Sequence, residues 1–354
     1  VAPVVVEWTR GPLVESQARG DAAVVDATGR ILFKVGDGLK VTYWRSAAKP
    51  VQALPVIASG AVDRFGLAPE HVAVMAASHN AEPVHVETVL EALKRAGLSP
   101  DLLQCGAHPP MDREAAAALQ AAGQEPGRVH SNCSGKHTGM LVLAKHLGLP
   151  LEDYLEPQSA VQQLILQCVA RVAAIPAHSI AIGVDGCGVP VFGMPLRHMA
   201  LAYARLADPD HLDAEDREAG LRMRAAMWAH PYLVAGRGRI CTDLMSLPGR
   251  RFLGKSGAEG VYSVGLPPET VALSPVLRAA GAVGGVGITV KAEDGRADVS
   301  QLMAVAILDQ LGLLTAEDRA ALARYGPGPI TNYAGRVVGE RRAAFALTPA
   351  EVTV

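Results

Sequence analysis

Residues 22–36, AAVVDATGRILFKVG, place two β-branched or aliphatic runs on either side of Asp26-Ala27-Thr28-Gly29. Short polar side chains followed by glycine favour a tight reversal, so the stretch predicts an antiparallel hairpin. The runs before and after it, VAPVVVEWT (1–9) and LKVTYW (39–44), have the same character and predict further strands. The pattern then changes. VHVETVLEALKRAGL (84–98) sets Val86, Val89, Leu90 and Leu93 at helical spacing, and VQQLILQCVARVAAI (161–175) does so with Val161, Leu164, Ile165, Cys168, Val169 and Val172. Strand-like runs return in EGVYSVGL (259–266) and GGVGITVKAED (284–294), ahead of a last strong helix, VSQLMAVAILDQLGLL (299–314). Strands at both ends around a mainly helical middle, about residues 46–250, predict an α+β fold. The two ends would build one antiparallel sheet, with the helices packed on it or forming a neighbouring lobe. No repeat, low-complexity tract or clear linker interrupts the 354 residues, so one domain over 1–354 is expected.

Charge and cysteine usage narrow the function classes. The 33 Lys and Arg against 35 Asp and Glu give a net charge of -2, and no basic run forms a stripe that would neutralise phosphates, which argues against nucleic acid. The first apolar stretch is too short for a secretion signal or a membrane span and reads as a strand. The five cysteines (Cys105, Cys133, Cys168, Cys187 and Cys241) are odd in number and widely spaced, unlike a disulfide framework. A reducing, cytoplasmic setting is expected.

Three short elements carry candidate chemistry. Ser46-Ala47-Ala48-Lys49 fits Ser-x-x-Lys, in which a neutral lysine can take the proton of a serine that attacks a carbonyl. Partial burial and a second cation nearby would lower the lysine pKa for that role. Pro50 biases Lys49 away from helical dihedrals, which sets the pair on the entry turn of a helix. Alone, the tetrapeptide more often means an N-capping serine and a solvated lysine. It has company, however: Ser78-His79-Asn80 fits Ser-x-Asn and Lys255-Ser256-Gly257 fits Lys-[Ser/Thr]-Gly, in the chain order of penicillin-recognising serine enzymes. Together the three elements favour a catalytic reading over a capping loop and a surface charge.

A second cluster comprises residues 130–139, HSNCSGKHTG, and 184–190, VDGCGVP, each a small-residue polar loop with one cysteine. Without a Cys-x-x-Cys pair, spacing alone points to buried structural thiols rather than to a metal site. Cys168 lies on an apolar stripe, and Cys105 and Cys241 have no companions. The glycine-rich 281–287, GAVGGVG, precedes its strand, so a turn or close packing explains it better than a phosphate loop.

RSAAKPVQALP, ASHN, HSNCSGKHTGM, GVDGCGVP, HPYLVAGRGRICTDLM and GKSGAEGVY, taken in order along nearly the whole chain, resemble the Rhizobium etli type of L-asparaginase. The resemblance implies a serine β-lactamase/glutaminase-like fold, a homodimer, and hydrolysis of L-asparagine to L-aspartate and ammonia. It implies two Ser-Lys tandems, Ser46 with Lys49 and Ser78 with Lys255. It also implies a zinc site at Cys133, Lys136 and Cys187, which replaces the structural-thiol reading of those cysteines. Asp185 would be the nearby carboxylate, and His137 and Asn80 are expected in supporting or substrate-contacting positions. A lysine ligand binds as the free amine, so occupancy should weaken as pH falls. The alternatives are a β-lactamase-like serine hydrolase acting on another amide, and a zinc-binding regulatory protein.

Overall fold

The computed structural model describes residues 1–350, with twelve strands among them. They are β1 Val4–Arg10, β2 Leu13–Asp26, β3 Ile31–Val35, β4 Val41–Tyr43, β5 Ala181–Val184, β6 Pro190–Pro195, β7 Leu253–Gly257, β8 Val261–Leu266, β9 Val286–Ala292, β10 Gly328–Thr331, β11 Val337–Ala343 and β12 Thr348–Pro349. The chain divides into two compact units, each assembled from separated stretches. One takes Val1–Ala47, Met194–His211 and the chain from Leu247 onward; the other takes Ala48–Gly193 and Leu212–Ser246.

The first unit is built on an antiparallel sheet of order β10-β11-β1-β2-β9-β8-β7. The N-terminal and C-terminal runs supply it, as expected from their composition, except for the run 39–44, whose strand β4 lies outside this sheet. Strand β2 is long enough to serve three partners: its first half pairs with β1, and its second half with both β3 and β9. The predicted hairpin is the β2–β3 connection. Buried Asp26 closes it by accepting from Thr28 N at 3.0 Å and Thr28 Oγ1 at 2.6 Å, and Gly29 supplies a φ of +91°.

Helices cover both faces of this sheet. Gly265 and Gly287 are cross-strand partners, and a Cβ at Gly287 would fall 1.7 Å from the Ala200 carbonyl oxygen. The missing side chains let the helix Leu196–Ala207 press its backbone onto the strands. On the opposite face, Gly20 lies under Met303 of the helix Ala297–Gln310. Close packing thus explains Gly287 of the 281–287 stretch. The helix Leu196–Ala207 belongs to the sheet unit although it lies inside the helical middle of the sequence.

The second unit is mainly helical, with Pro69–Met75, Pro83–Arg95, Ser134–Leu147, Ala160–Val172 and Ala214–Ala229, plus the β5–β6 hairpin. On Pro83–Arg95 the buried stripe is His85, Val89, Ala92 and Leu93, while Leu90 is 38% exposed. The helix is therefore turned from the face that apolar spacing predicts, because His85 takes a place in a buried ring stack. Among the described residues no helix is long and apolar enough to cross a membrane.

Candidate active site

The sheet unit carries two of the sequence-predicted residues. Residues Arg45–Ala48 form a 3-10 turn bearing Ser46, and Arg45 immediately before it adopts φ +54°, a left-handed conformation that costs a non-glycine residue energy. Lys255 lies on β7 and is fully buried. Its register partner on β8 is Ser263, which in turn faces Thr289 on β9, a polar row across three strands. Ser263 Oγ accepts from Trp44 Nε1 at 3.1 Å, and lies 2.9 Å from Thr289 Oγ1. Gly257 closes the arrangement, since a Cβ there would meet the Trp44 carbonyl at 2.8 Å. The Lys-Ser-Gly strand is thereby pressed against the segment that leads into Ser46.

In the helical unit, Lys49 opens the short helix Lys49–Gln52 with Pro50 in its first turn, so the Ser-x-x-Lys tetrapeptide forms a helix entry. Lys49 has no exposed surface. Its Nζ donates to the Ala77 carbonyl at 2.7 Å, to Ser78 Oγ at 2.9 Å and to Cys133 Sγ at 3.2 Å. Burial pulls its pKa below the ordinary lysine value, the Cys133 sulfur opposes that, and the Lys136 cation adds to it. Lys49 thus directly contacts the second predicted serine.

The segment 78–80 alternates in direction. Ser78 and Asn80 N–H donate to the carbonyls of Val234 and Ala235, whereas His79 N–H donates to Asn132. Such alternation sends the Ser78 and Asn80 side chains to one side and His79 to the other. Ala81 N–H donates to His79 Nδ1 at 3.1 Å, which leaves the ring proton on Nε2 facing Ser134 Oγ at 2.9 Å. His79 stacks on His85, and His85 on Tyr232, with centroids 5.1 and 5.8 Å apart. Burial keeps both histidines below their ordinary pKa, His79 well below it.

Cys133 caps the helix Ser134–Leu147, and Lys136 lies in its first turn. The spacing Gly135-x-x-x-Gly139 explains that placement. A Cβ at Gly135 would lie 2.1 Å from the Val74 carbonyl, and one at Gly139 3.1 Å from Met75, so the glycines allow this helix to seat on Pro69–Met75. Lys136, one residue on, is buried and donates to Cys187 Sγ at 3.0 Å. Cys187 sits at the tip of the β5–β6 hairpin, in a loop fastened by Asp185 N to Val189 O and Gly188 N to Asp185 O. Asp185 Oδ1 accepts from Gly186 N.

The two thiols differ in proton affinity. A hydrogen bond from Cys187 holds Cys133 well below the usual thiol range, and the same bond together with burial pushes Cys187 up. Burial lowers Lys136, but Cys133, Cys187 and Asp185 overcome it and hold its pKa above the ordinary value. Among the described residues no three His, Cys, Asp or Glu side chains are grouped to hold a metal, so an ion here must take the lysine amine. Two sulfurs and one amine, with Lys136 Nζ 3.0 Å from Cys187 Sγ, suit a soft divalent ion once both thiols and the ammonium release their protons. His137 faces Tyr154 through Nδ1 at 2.8 Å, while its buried Nε2 has no hydrogen-bond partner among the described residues.

Asn80 leads to a residue that motif reading leaves unassigned. Its Nδ2 donates to the Arg237 carbonyl at 3.0 Å, which turns Oδ1 toward Arg239 NH1 at 2.7 Å. The only sequence signal is the alternation Gly-Arg-Gly-Arg at 236–239, with positive φ at Gly236 (+107°) and Gly238 (+70°). A Cβ at Gly236 would strike Glu82 Oε1 at 2.4 Å.

A family profile described as L-asparaginase II matches residues 6–343. No curated protein matches the sequence. Among solved structures the chain is similar to a Bacillus glutaminase crystallised in 4.3 M NaCl, at 13% identity and TM-score 0.39 over 83% of this chain and 91% of that one. It is also similar to a β-lactamase from Desulfarculus baarsii, at 17% identity and TM-score 0.39 over 84% and 93% of the two chains. A β-lactamase from Mycobacterium bovis gives 15% identity and TM-score 0.36 over 86% and 94%.

Proposed function

The chain belongs to the L-asparaginase II family and is an amidohydrolase, and from that premise we propose that it converts L-asparagine to L-aspartate and ammonia through Ser-Lys acyl transfer. The observation that carries the mechanism is fully buried Lys49, held 2.9 Å from Ser78 Oγ with its pKa pushed down. An ammonium fills all three of the contacts at Lys49 Nζ. A neutral amine instead donates two hydrogens, to Ala77 O and Cys133 Sγ, and turns its lone pair to a hydroxyl proton.

In this reading neutral Lys49 takes the Ser46 hydroxyl proton as Ser46 Oγ bonds to the side-chain amide carbon, and backbone N–H groups near Ser46 hold the oxyanion. The proton passes through Ser78 to the amide nitrogen, the C–N bond breaks and ammonia leaves. Water then adds to the aspartyl ester, Lys49 takes its proton, and Ser46 recovers a proton as L-aspartate departs. Lys255 would help keep Lys49 neutral as a second cation, a role that rests on its motif. Cys133, Lys136 and Cys187 would hold zinc, whose charge would help orient the substrate. The assembly is proposed to be a homodimer.

Ammonia release from L-asparagine, with L-glutamine in parallel, tests the reading. Asparagine turnover supports it, and turnover of neither amide overturns it. One methylene separates these substrates, which a pocket resolves by about 1–3 kcal/mol, so some glutamine hydrolysis is expected.

A further inference from the structure

Arg237 and Arg239 lie two residues apart and differ in how their charge is met. Arg237 is exposed and ion-paired to Glu114, Glu82 and Asp112. Arg239 is half-buried, and no carboxylate pairs with it among the described residues. Its guanidinium is nonetheless fixed: NH1 donates to Asn80 Oδ1 at 2.7 Å and lies 3.8 Å from Met111 Sδ. Its field also reaches the rings behind Ser78, since the cation contributes to keeping His79 and His85 neutral.

The contacts close into a ring. From Arg239 they run to Met111, whose sulfur lies 3.7 Å from Asn132 Nδ2; Asn132 Oδ1 lies 3.1 Å from Cys133 Sγ. From Cys133 they continue to Lys49 Nζ at 3.2 Å and to Ser78 Oγ at 2.9 Å, and the backbone from Ser78 to Asn80 returns to Arg239. Ser78 and Asn80 face one side of an extended segment, and two extended residues span about 7 Å, the scale of one small amino acid. A lysine poised for amide chemistry thus stands at one end of that span. A held, unpaired guanidinium fork stands at the other, the group best shaped to take a carboxylate through two hydrogen bonds.

We propose that Arg239, oriented by Asn80, binds the substrate's α-carboxylate and so restricts the enzyme to the free amino acid over peptide-linked asparagine and simple amides. This rests on the asparagine reading above. Arg239 makes specificity through charge, and Asn80 is its positioning residue.

The test uses the full chain and compares wild type with Arg239→Gln and Arg239→Lys. Three quantities are read: the KM for L-asparagine, the inhibition constant of L-aspartate, and that of β-alaninamide, which is asparagine without its carboxylate. Arg239→Gln is expected to raise the first two together by about 100-fold, the scale of a lost charged hydrogen-bond pair, and to leave β-alaninamide within about twofold. Arg239→Lys should recover part of the loss. An unchanged KM, or β-alaninamide weakened in parallel with the others, overturns the proposal and makes Arg239 a structural residue. If wild type releases no ammonia from L-asparagine, the substrate reading fails by itself. The carboxylate claim is then decided by titration calorimetry with L-aspartate: binding lost in Arg239→Gln supports it, and absence of binding to wild type overturns it.

Discussion

Lys49 is a fully buried lysine, held by a carbonyl, a hydroxyl and a sulfur. Burial lowers its pKa from the ordinary lysine value, the direction a general base requires. Lys49→Met keeps the shape and removes the amine; kcat for L-asparagine should fall by about 10²–10⁴, the usual contribution of a positioned base. Turnover within tenfold of wild type would exclude Lys49 as the base. At the thiol pair the question is occupancy. Cys187→Ser replaces a soft donor beside Lys136, and bound zinc measured on the purified protein should drop from about one equivalent to a small fraction of that. If wild type activity survives chelation with the fold intact, the ion orients or stiffens the site; complete loss would make it part of the chemistry.

At the scale of elements, glycine spacing does what no motif states. Gly135 allows the helix Ser134–Leu147 to touch the Val74 carbonyl, and that helix aims Lys136 at Cys187. Gly135→Ala should cost about 1–3 kcal/mol by overpacking and lower zinc affinity through Lys136, read by denaturant unfolding and metal titration. Unchanged stability would show that the helices separate freely. The ring stack makes a second prediction. His79 and His85 have folded pKa values below their ordinary 6.5, so the unfolded chain binds protons that the folded chain refuses as pH falls below about 6.5. Stability should drop from there toward the folded pKa, by up to about 1.4 kcal/mol per pH unit for each ring. His85→Phe keeps a ring in the stack and should make that slope shallower by one group; an unchanged slope would contradict it. These same elements mark where sequence is legible. Strands were readable because β-branched runs and an Asx turn act locally, as at Asp26. The face of Pro83–Arg95 was not, because a buried polar His85 outweighs the apolar spacing of Leu90.

At the scale of the whole molecule, the order strand, helix, strand along the chain became two interleaved units, the sheet drawing on both ends. Apolar periodicity sees elements and does not see which unit a helix joins, so Leu196–Ala207 was unmarked as a sheet-packing helix. Of the residues that share one network in the helical unit, the family resemblance implies Cys133, Lys136 and Cys187, whereas motif spacing names Lys49 and Ser78. It left Arg239 unnamed because that role depends on which neighbours lack a counter-charge, a fact of three dimensions. The roles of Ser46 and Lys255 rest on their motifs; the structure places Ser46 after left-handed Arg45 and Lys255 in a polar row across three strands. The most direct measurement is ammonia release from L-asparagine by wild type and by Ser46→Ala under identical conditions. The account predicts turnover in wild type and its loss in the variant; full turnover by Ser46→Ala would contradict the assigned nucleophile, and none by wild type would contradict the assigned substrate.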